Sequence, residues 1–275
     1  MSPRKRRSNP AVFIALIFIA GFVAVLIAAF TSFEYEKPRE ASELSCDSSL
    51  EKVIIPDSLN NVMLYYEGFT VAFNSAEHQP NYVVWTLTPE HTDGPFTRDD
   101  AKFLPDENVE GCATLADYRN SGFDRGHLAP AADMKWSAKA MADCHLLTNM
   151  CPQVNSLNSG AWATVEKNAR KWALDYGPLV IVAGPVLSDF LTRSIGNTPV
   201  PVPERFFKVI VAPEANPPMG IGFIMPNSYV EGGAQATVVS IDDVEAVTGF
   251  DFFSALPDDI ENVVEKQARL SLWNR

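Results

Sequence analysis

Asp124-Arg125-Gly126-His127 is the stretch on which the reading of this chain turns, and Asn149, Pro152, Gln153, Asn158, Trp162, Glu166 and Arg170 follow it. A neutral imidazole titrates near pH 6.5, at about physiological pH, so a suitably held His127 can take a proton from water. Gly126, with Gly122 just upstream, permits close backbone approach beside that ring. The segment from Asn158 to Leu174 reads as a helix. At about 100° per residue, Asn158, Glu166 and Arg170 fall within about 120° of arc and can point to a common region. An amide oxygen, a carboxylate and a guanidinium then share a face. The plainer reading is a solvated helix whose Glu166 and Arg170 form an i,i+4 salt bridge worth about 0.3–0.5 kcal/mol, and periodicity alone does not displace it.

An oxygen-only site with one protein ligand and several waters suits Mg²⁺, and Asn158 is the candidate ligand. The sequence holds no His-Glu-x-x-His, no Walker glycine loop and no Gly-x-Ser-x-Gly, which speaks against metalloprotease, nucleotidase and serine-hydrolase chemistry. His78, His91 and His145 lack comparable neighbours and read as surface or core histidines.

Outward from the motif, the 275 residues show no convincing division after the N-terminal segment. Residues 1–10 carry Arg4-Lys5-Arg6-Arg7, and residues 11–30 are an uncharged apolar run. At about 1.5 Å per residue that run spans the roughly 30 Å bilayer core, and its length favours an uncleaved transmembrane anchor over a signal peptide. The basic cluster should stay cytoplasmic, which puts everything after Thr31 on the extracytoplasmic side, in a periplasm, at a cell exterior or in a mitochondrial intermembrane space. Residues 31–52 read as a linker and 53–275 as one catalytic domain. Cys46, Cys112, Cys144 and Cys151 all fall in the exported part, where disulfides are permitted, and sequence does not choose among their pairings. A zinc site from Cys112, Cys144, His145 and Cys151 lacks a Cys-x-x-Cys spacing and is disfavoured.

Strands are expected at Val62–Tyr66 and Thr70–Phe73 around a Glu67-Gly68-Phe69 turn, and at Tyr82–Leu87, Leu179–Val182, Phe206–Val211, Ile221–Met225 and Thr237–Ile241. Helices are expected near 135–146, 158–174, 242–248 behind Asp242 as cap, and 258–272 behind Pro257, with an exposed loop over 88–110. This unalternated mixture implies an α+β fold with a mixed or antiparallel sheet.

The run Ala116-Asp117-Tyr118-Arg119-Asn120-Ser121-Gly122-Phe123-Asp124-Arg125-Gly126-His127 resembles the DNA/RNA non-specific endonucleases, the ββα-metal family. Trp136-Ser137, Lys139-Ala140-Met141, Gly184-Pro185, Phe206-Phe207-Lys208, Met225-Pro226-Asn227 and Thr248-Gly249-Phe250 extend the similarity over about residues 60–255. The resemblance implies a ββα active-site motif and an Mg²⁺-dependent endonuclease, with Mn²⁺ able to substitute, acting on DNA and RNA without strong sequence preference. His127 would be the general base. Asn158 would be the direct protein ligand of a cation that bridges a phosphate oxygen and the leaving 3′ oxygen. Glu166 would hold metal-bound water, and Arg170 would stabilise charge on the phosphate. Arg125 and Arg119 would contact phosphate. Asn149, set among the substrate-binding positions, would support the metal or histidine surroundings. Products would carry 5′-phosphate and 3′-hydroxyl ends, and homodimerisation is left open.

Cys144 and Cys151 depart from the family pattern and raise the expectation of a disulfide bracing Asn149. The formal net charge is -12, of which the N-terminal basic cluster contributes +4, so the remainder carries -16. That is unfavourable for a phosphate-binding surface, and binding would rest on a local arginine cluster plus a cation. The alternatives are a non-catalytic nucleic-acid-binding or uptake protein, which needs no base, and a metal-dependent phosphodiesterase of small substrates.

Overall fold

The computed structural model describes residue 46 and residues 48–187 and 193–274. The chain divides into two units, Met1–Glu40 and Ala41–Arg275, and the described residues belong to the second. The basic tail and the span expected at 11–30 lie outside the described residues. Among the described residues no helix is long and apolar enough to cross a membrane.

The strands are β1 (Val62–Tyr66), β2 (Phe69–Asn74), β3 (Gln79–Leu87), β4 (Asp124–His127), β5 (Met150–Gln153), β6 (Leu179–Val186), β7 (Ser194–Ile195), β8 (Val200–Pro201), β9 (Arg205–Ala212), β10 (Met219–Pro226) and β11 (Val238–Val239). Seven of them form one sheet in the order β1-β2-β3-β6-β9-β10-β11. Every neighbouring pair in it is antiparallel. The β4–β5 and β7–β8 pairs stand apart as two-stranded ribbons.

Period-two alternation gives the sheet two buried faces. On β9, Phe206, Ile210 and Ala212 enter one core while Phe207, Val209 and Val211 enter the other. The strand β6 does the same, with Leu179, Ile181 and Ala183 on the first face and Val180 and Val182 on the second. Lys208 shares the parity of Phe206 and Ile210, which puts a lysine into the first core.

Among the described residues the helices are α1 (Leu115–Tyr118), which packs in a separate small cluster through Tyr118, and α2 (Ala138–Asp143), α3 (Ala163–Tyr176), α4 (Ile241–Thr248) and α5 (Asp258–Val264), which cover these faces. The α3 helix lays Val165, Ala169, Trp172 and Ala173 on the first face, a spacing of one helical stripe. The helices α4 and α5 put Ile241, Val244 and Val264 on the second. Leu50, on a 3₁₀ turn at Ser48–Glu51 in the stretch read as linker, is also buried there.

Several elements end sooner than periodicity suggests. The helix expected over 135–146 is confined to α2, because the Ser137 hydroxyl caps it by accepting from the Lys139 and Ala140 amides. The cap expected at Asp242 is Ser240, paired reciprocally with Asp243, and it shortens β11 to two residues. The helix expected over 258–272 stops at Val264. Beyond it the Gln267 side chain accepts from the Gly220 amide at 3.1 Å, and a 3₁₀ turn at Leu270–Trp273 delivers Trp273 into the first core. The 88–110 segment carries two 3₁₀ turns, and Leu104 bridges Leu146.

Trp273 is fully buried, with its ring 4.7 Å from that of Trp172 on α3. Trp273→Ala should therefore lower unfolding stability by about 3–5 kcal/mol in urea titration, and a loss below about 1 kcal/mol would contradict this packing.

Candidate active site

A hairpin followed by a helix holds most of the expected site residues. In the β4–β5 ribbon His127 pairs with Met150, Gly126 with Cys151, Arg125 with Pro152 and Asp124 with Gln153. A Cβ on Gly126 would meet Gln153 Oε1 at 2.2 Å, so the glycine inside the motif is fixed by the side chain packed across it. Trp162 Nε1 donates to the His127 carbonyl at 3.1 Å, pinning the helix to the strand.

Asn149 is fully buried and spends its amide on backbone. Its Oδ1 accepts from the Ala129 amide at 3.0 Å, and its Nδ2 donates to the Ala129 and Cys144 carbonyls at 2.9 and 2.8 Å. A fully buried side chain so committed supports the backbone around the ribbon that carries His127. It braces the chain on either side of His127 and Met150.

The His127 ring lies 4.9 Å from that of His145 and 5.4 Å from that of Phe103, and its Nε2 is buried without a hydrogen-bond partner. Burial first, then the charges of His145, Arg98 and Arg125, push the imidazole down to about 3, so it is held neutral. His145 is also lowered, chiefly by burial, and its Nδ1 hydrogen-bonds the Met141 carbonyl at 2.8 Å. It is a core histidine, as expected, yet it touches the candidate base. His78 bonds the Gly111 carbonyl and His91 stacks on Trp136.

Arg119, Arg125 and Asn158 line one cleft of about 560 Å³, joined by Arg98, Phe103, Phe123 and Asp124. Arg125 stacks its guanidinium on Phe103 at 4.3 Å. Next to this cleft Arg193 stacks on Phe123 at 4.5 Å. Arg98, Arg119, Arg125 and Arg193 are all exposed. The arginine cluster that an acidic protein would need is therefore present at one place.

Asn158 lies in a π-helical turn, Leu157–Trp162, with Gly160 outside helical geometry, before regular α3 begins. The 100° arithmetic does not carry back through that turn, which corrects the expectation of a single regular helical face. Asp124 places the side chain instead. Its Oδ2 accepts from Asn158 Nδ2 at 2.9 Å and from Asn155 Nδ2 at 2.8 Å. Among the described residues no hydrogen bond engages Asn158 Oδ1, so a carbonyl oxygen is held open at the cleft.

Glu166 and Arg170 do not pair with each other. Arg170 Nη1 meets Asp133 Oδ1 at 2.9 Å, and Lys208 Nζ lies 3.9 Å from Glu166 Oε1. The side chains of Asp133 and Lys208 are each only 1% exposed. Asp133 Oδ2 also accepts from Trp85 Nε1 at 3.1 Å, and Lys208 Nζ sits over the rings of Trp162 at 4.0 Å and Trp85 at 5.5 Å. Burial raises the Glu166 and Asp133 carboxyls and lowers the Lys208 ammonium, each opposed by the opposite charges beside it. Sequence reasoning missed Asp133 and the role of Lys208. A lysine inside the otherwise apolar Phe206–Ala212 run was the available signal.

Cys144 and Cys151 are both buried thiols, and the bridge expected between them is not formed. Cys144 Sγ points to the Met141 carbonyl at 3.2 Å and His145 Nδ1 at 3.4 Å, while Cys151 sits on β5 opposite Gly126. Beside the base, one ligand atom each from His127, Cys144 and His145 converge, a soft set unlike an Mg²⁺ site.

The strand pair β4–β5 bearing His127 is followed by a helical segment bearing Asn158. Residues 46–259 match the family model described as DNA/RNA non-specific endonuclease, and the chain belongs to that family. It is 35% identical to human mitochondrial endonuclease G, covering 68% of this chain and 67% of that protein. It is 30% identical to the mitochondrial nuclease EXOG of Danio rerio, covering 87% of this chain and 75% of that one. The crystal structure of an EndoG/EndoGI complex superposes with a TM-score of 0.66 at 27% identity, covering 71% and 86% of the two chains. The chain spans about two thirds of the length of the endonuclease G relatives it matches.

The buried charge network makes a sharp stability prediction. Asp133→Ala leaves Arg170 and Trp85 Nε1 without their shared acceptor and should cost about 3–5 kcal/mol in urea unfolding, with less than about 1 kcal/mol contradicting it.

Proposed function

We propose that this chain is an Mg²⁺-dependent, sequence-non-specific endonuclease that hydrolyses DNA and RNA phosphodiesters to 5′-phosphate and 3′-hydroxyl ends. The observation that carries this reading is the Asn158 amide, oriented by Asp124 with its oxygen open in an arginine-lined cleft. The fit to a hard cation follows from the donor chemistry. Asn158 would hold the ion through Oδ1, and Glu166 would hold water on it. When bound, the cation supplies positive charge beside the phosphate.

The protein's own residues do the rest. Arg119 and Arg125 hold the phosphate in the cleft, and Arg170, kept in place by Asp133, adds charge stabilisation where the phosphodiester gains negative charge. His127 accepts the proton of the attacking water at Nε2, a step worth roughly 10²–10⁴-fold. The imidazole is neutral in the free protein and so already in its basic form. Its nitrogen is buried, so binding has to uncover it, and Phe103 on the 88–110 segment is the neighbour placed to move. The substrate is bound through its backbone, which accounts for the lack of sequence preference.

Residues 11–30 are read as a membrane tether that keeps the catalytic unit outside the cytoplasm. The relatives named as mitochondrial support a mitochondrial compartment for it, the intermembrane space on this reading, with a periplasm or cell exterior as the alternatives.

Full-length protein in detergent should cut plasmid DNA and RNA with Mg²⁺ and lose activity in EDTA. His127→Ala should lose about 10²-fold or more, and activity surviving both EDTA and the substitution would overturn the mechanism. Asn158→Ala should be partly rescued by excess Mn²⁺, whereas an equal loss at every metal concentration would contradict its role as ligand. In Glu166→Gln, which removes the carboxyl that burial pushes up to about 7, the residual kcat/KM should stay level as pH falls from about 8 to about 5, because His127 is lowered to about 3. A break at about 6.5, the ordinary histidine value, would show that the working base is not the buried ring described.

A further inference from the structure

Asp242 and Glu245 stand three positions apart on the first turns of α4, and Glu265 follows the last turn of α5. One carboxylate oxygen from each falls within 4.8 Å of the others. Asp242 and Glu245 are half-buried, and Glu265 is only 9% exposed. The Oε1 of Glu265 is buried and has no hydrogen-bond partner. Its backbone carbonyl accepts from the Ile241 and Asp242 amides at 2.9 and 3.2 Å, so the main chain fixes this side chain beside the start of α4. Glu245 is steadied in turn, since its Oε1 accepts from the Phe252 amide at 2.9 Å.

Among the described residues no salt bridge involves Asp242, Glu245 or Glu265. Lys266, next in the chain, directs its ammonium to Asn262 Oδ1 at 3.3 Å. Glu261 and Asp251 add further negative charge, and burial together with these carboxylates pushes Glu265 up to about 8. The end of α5 offers no help, because a helix C-terminus carries partial negative charge. An isolated buried carboxylate is costly, and the remedies open to it are a proton or a cation.

We propose that Asp242, Glu245 and Glu265 form a structural site for a hard divalent cation, calcium by preference. Oxygens ligating one Ca²⁺ at about 2.3–2.6 Å stand within about 5 Å of one another, as these do. Three carboxylates at one point, with room for water on the exposed side, suit calcium better than Mg²⁺, which keeps most of its own waters. The site lies on the second face of the sheet, where α4 and α5 pack, away from the cleft of Asn158. A cation there would join the start of α4 to the end of α5. From that point the chain runs through Gln267, bonded to Gly220, to Trp273 packed on Trp172 of α3. Its role is therefore stability of the C-terminal segment, independent of the hydrolytic reading.

The test uses the full chain in detergent, stripped with EDTA, dialysed, and unfolded thermally with and without CaCl₂ alone. Wild type and Asn158→Ala should both gain about 5 °C at saturating Ca²⁺, while Glu265→Gln should gain none. Nucleic-acid cleavage by Glu265→Gln in Mg²⁺ should stay within about twofold of wild type. Absence of any Ca²⁺ shift in wild type, or a shift that Glu265→Gln retains, overturns the site. A shift lost in Asn158→Ala but kept in Glu265→Gln would assign the ion to the cleft and overturn it equally. Should Glu265→Gln fail to fold, Asp242→Asn takes its place under the same criteria.

Discussion

Two acids and two bases, Glu166 with Lys208 and Asp133 with Arg170, pack between α3 and the sheet, with Asp133 and Lys208 fully enclosed and Glu166 and Arg170 half-buried. Each carries a desolvation cost that only its neighbours offset, so the four hold together or fail together. The network joins three separate pieces of chain: Lys208 from β9, Asp133 from the turn after β4, and two residues one helical turn apart on α3. Trp85 and Trp162 close it, one as hydrogen-bond donor to Asp133 and both as ring faces beneath the Lys208 ammonium. Rotation of α3 about its axis would separate both pairs. A helix with its azimuth so fixed also fixes the Trp162 bond to His127 and, through the π-helical turn, the Asn158 bond to Asp124. The geometry of the cleft thus descends from a charge network whose inner members, Asp133 and Lys208, lie in the core.

Much of the sheet was legible because strands buried on both faces read as short apolar, β-branched and aromatic runs between turn residues. The strands at 62–66, 82–87, 206–211 and 221–225 fall inside the observed β1, β3, β9 and β10. The β4–β5 ribbon was visible only through the family likeness, since Asp-Arg-Gly-His and Met-Cys-Pro-Gln show no apolar alternation. Its pairing depends on Gln153 packing against Gly126, a contact between residues 27 positions apart by their numbering. The charge network was opaque for the same reason. Glu166 and Arg170 look like a surface i,i+4 pair until the parity of Lys208 in β9 and the position of Asp133 are known. Asn149 depends on burial in the same way. A polar residue at a family position invites a binding role, and only full burial with every amide contact on backbone shows it to be a brace.

The balance of charge over the molecule follows a similar logic. A chain with net charge -12 repels polyanions at long range, yet four exposed arginines collect around Phe103 and Phe123. At physiological salt the screening length is about 8 Å, so distant carboxylates weigh little against guanidiniums in the cleft. Local arrangement therefore governs binding once contact is made, and the acidic remainder acts mainly on the rate of encounter.

Burial sets the state of the base, and two of these arginines reinforce it. Arg98 and Arg125 add positive charge beside a buried imidazole, and His145 stands against its ring, so all three oppose its protonation. A histidine lowered this far is always unprotonated but a weak base. On the proposed reading a bound phosphate reverses both terms. Its negative charge offsets the guanidiniums, and drawing Arg125 off Phe103 breaks the stack that holds the aromatic ring near Nε2. The imidazole would then gain basicity and exposure when substrate is present, which ties proton transfer to binding instead of leaving a reactive histidine open to solvent. Phe103 and Arg125 would serve as the cover of the base in the free protein and as its release in the complex.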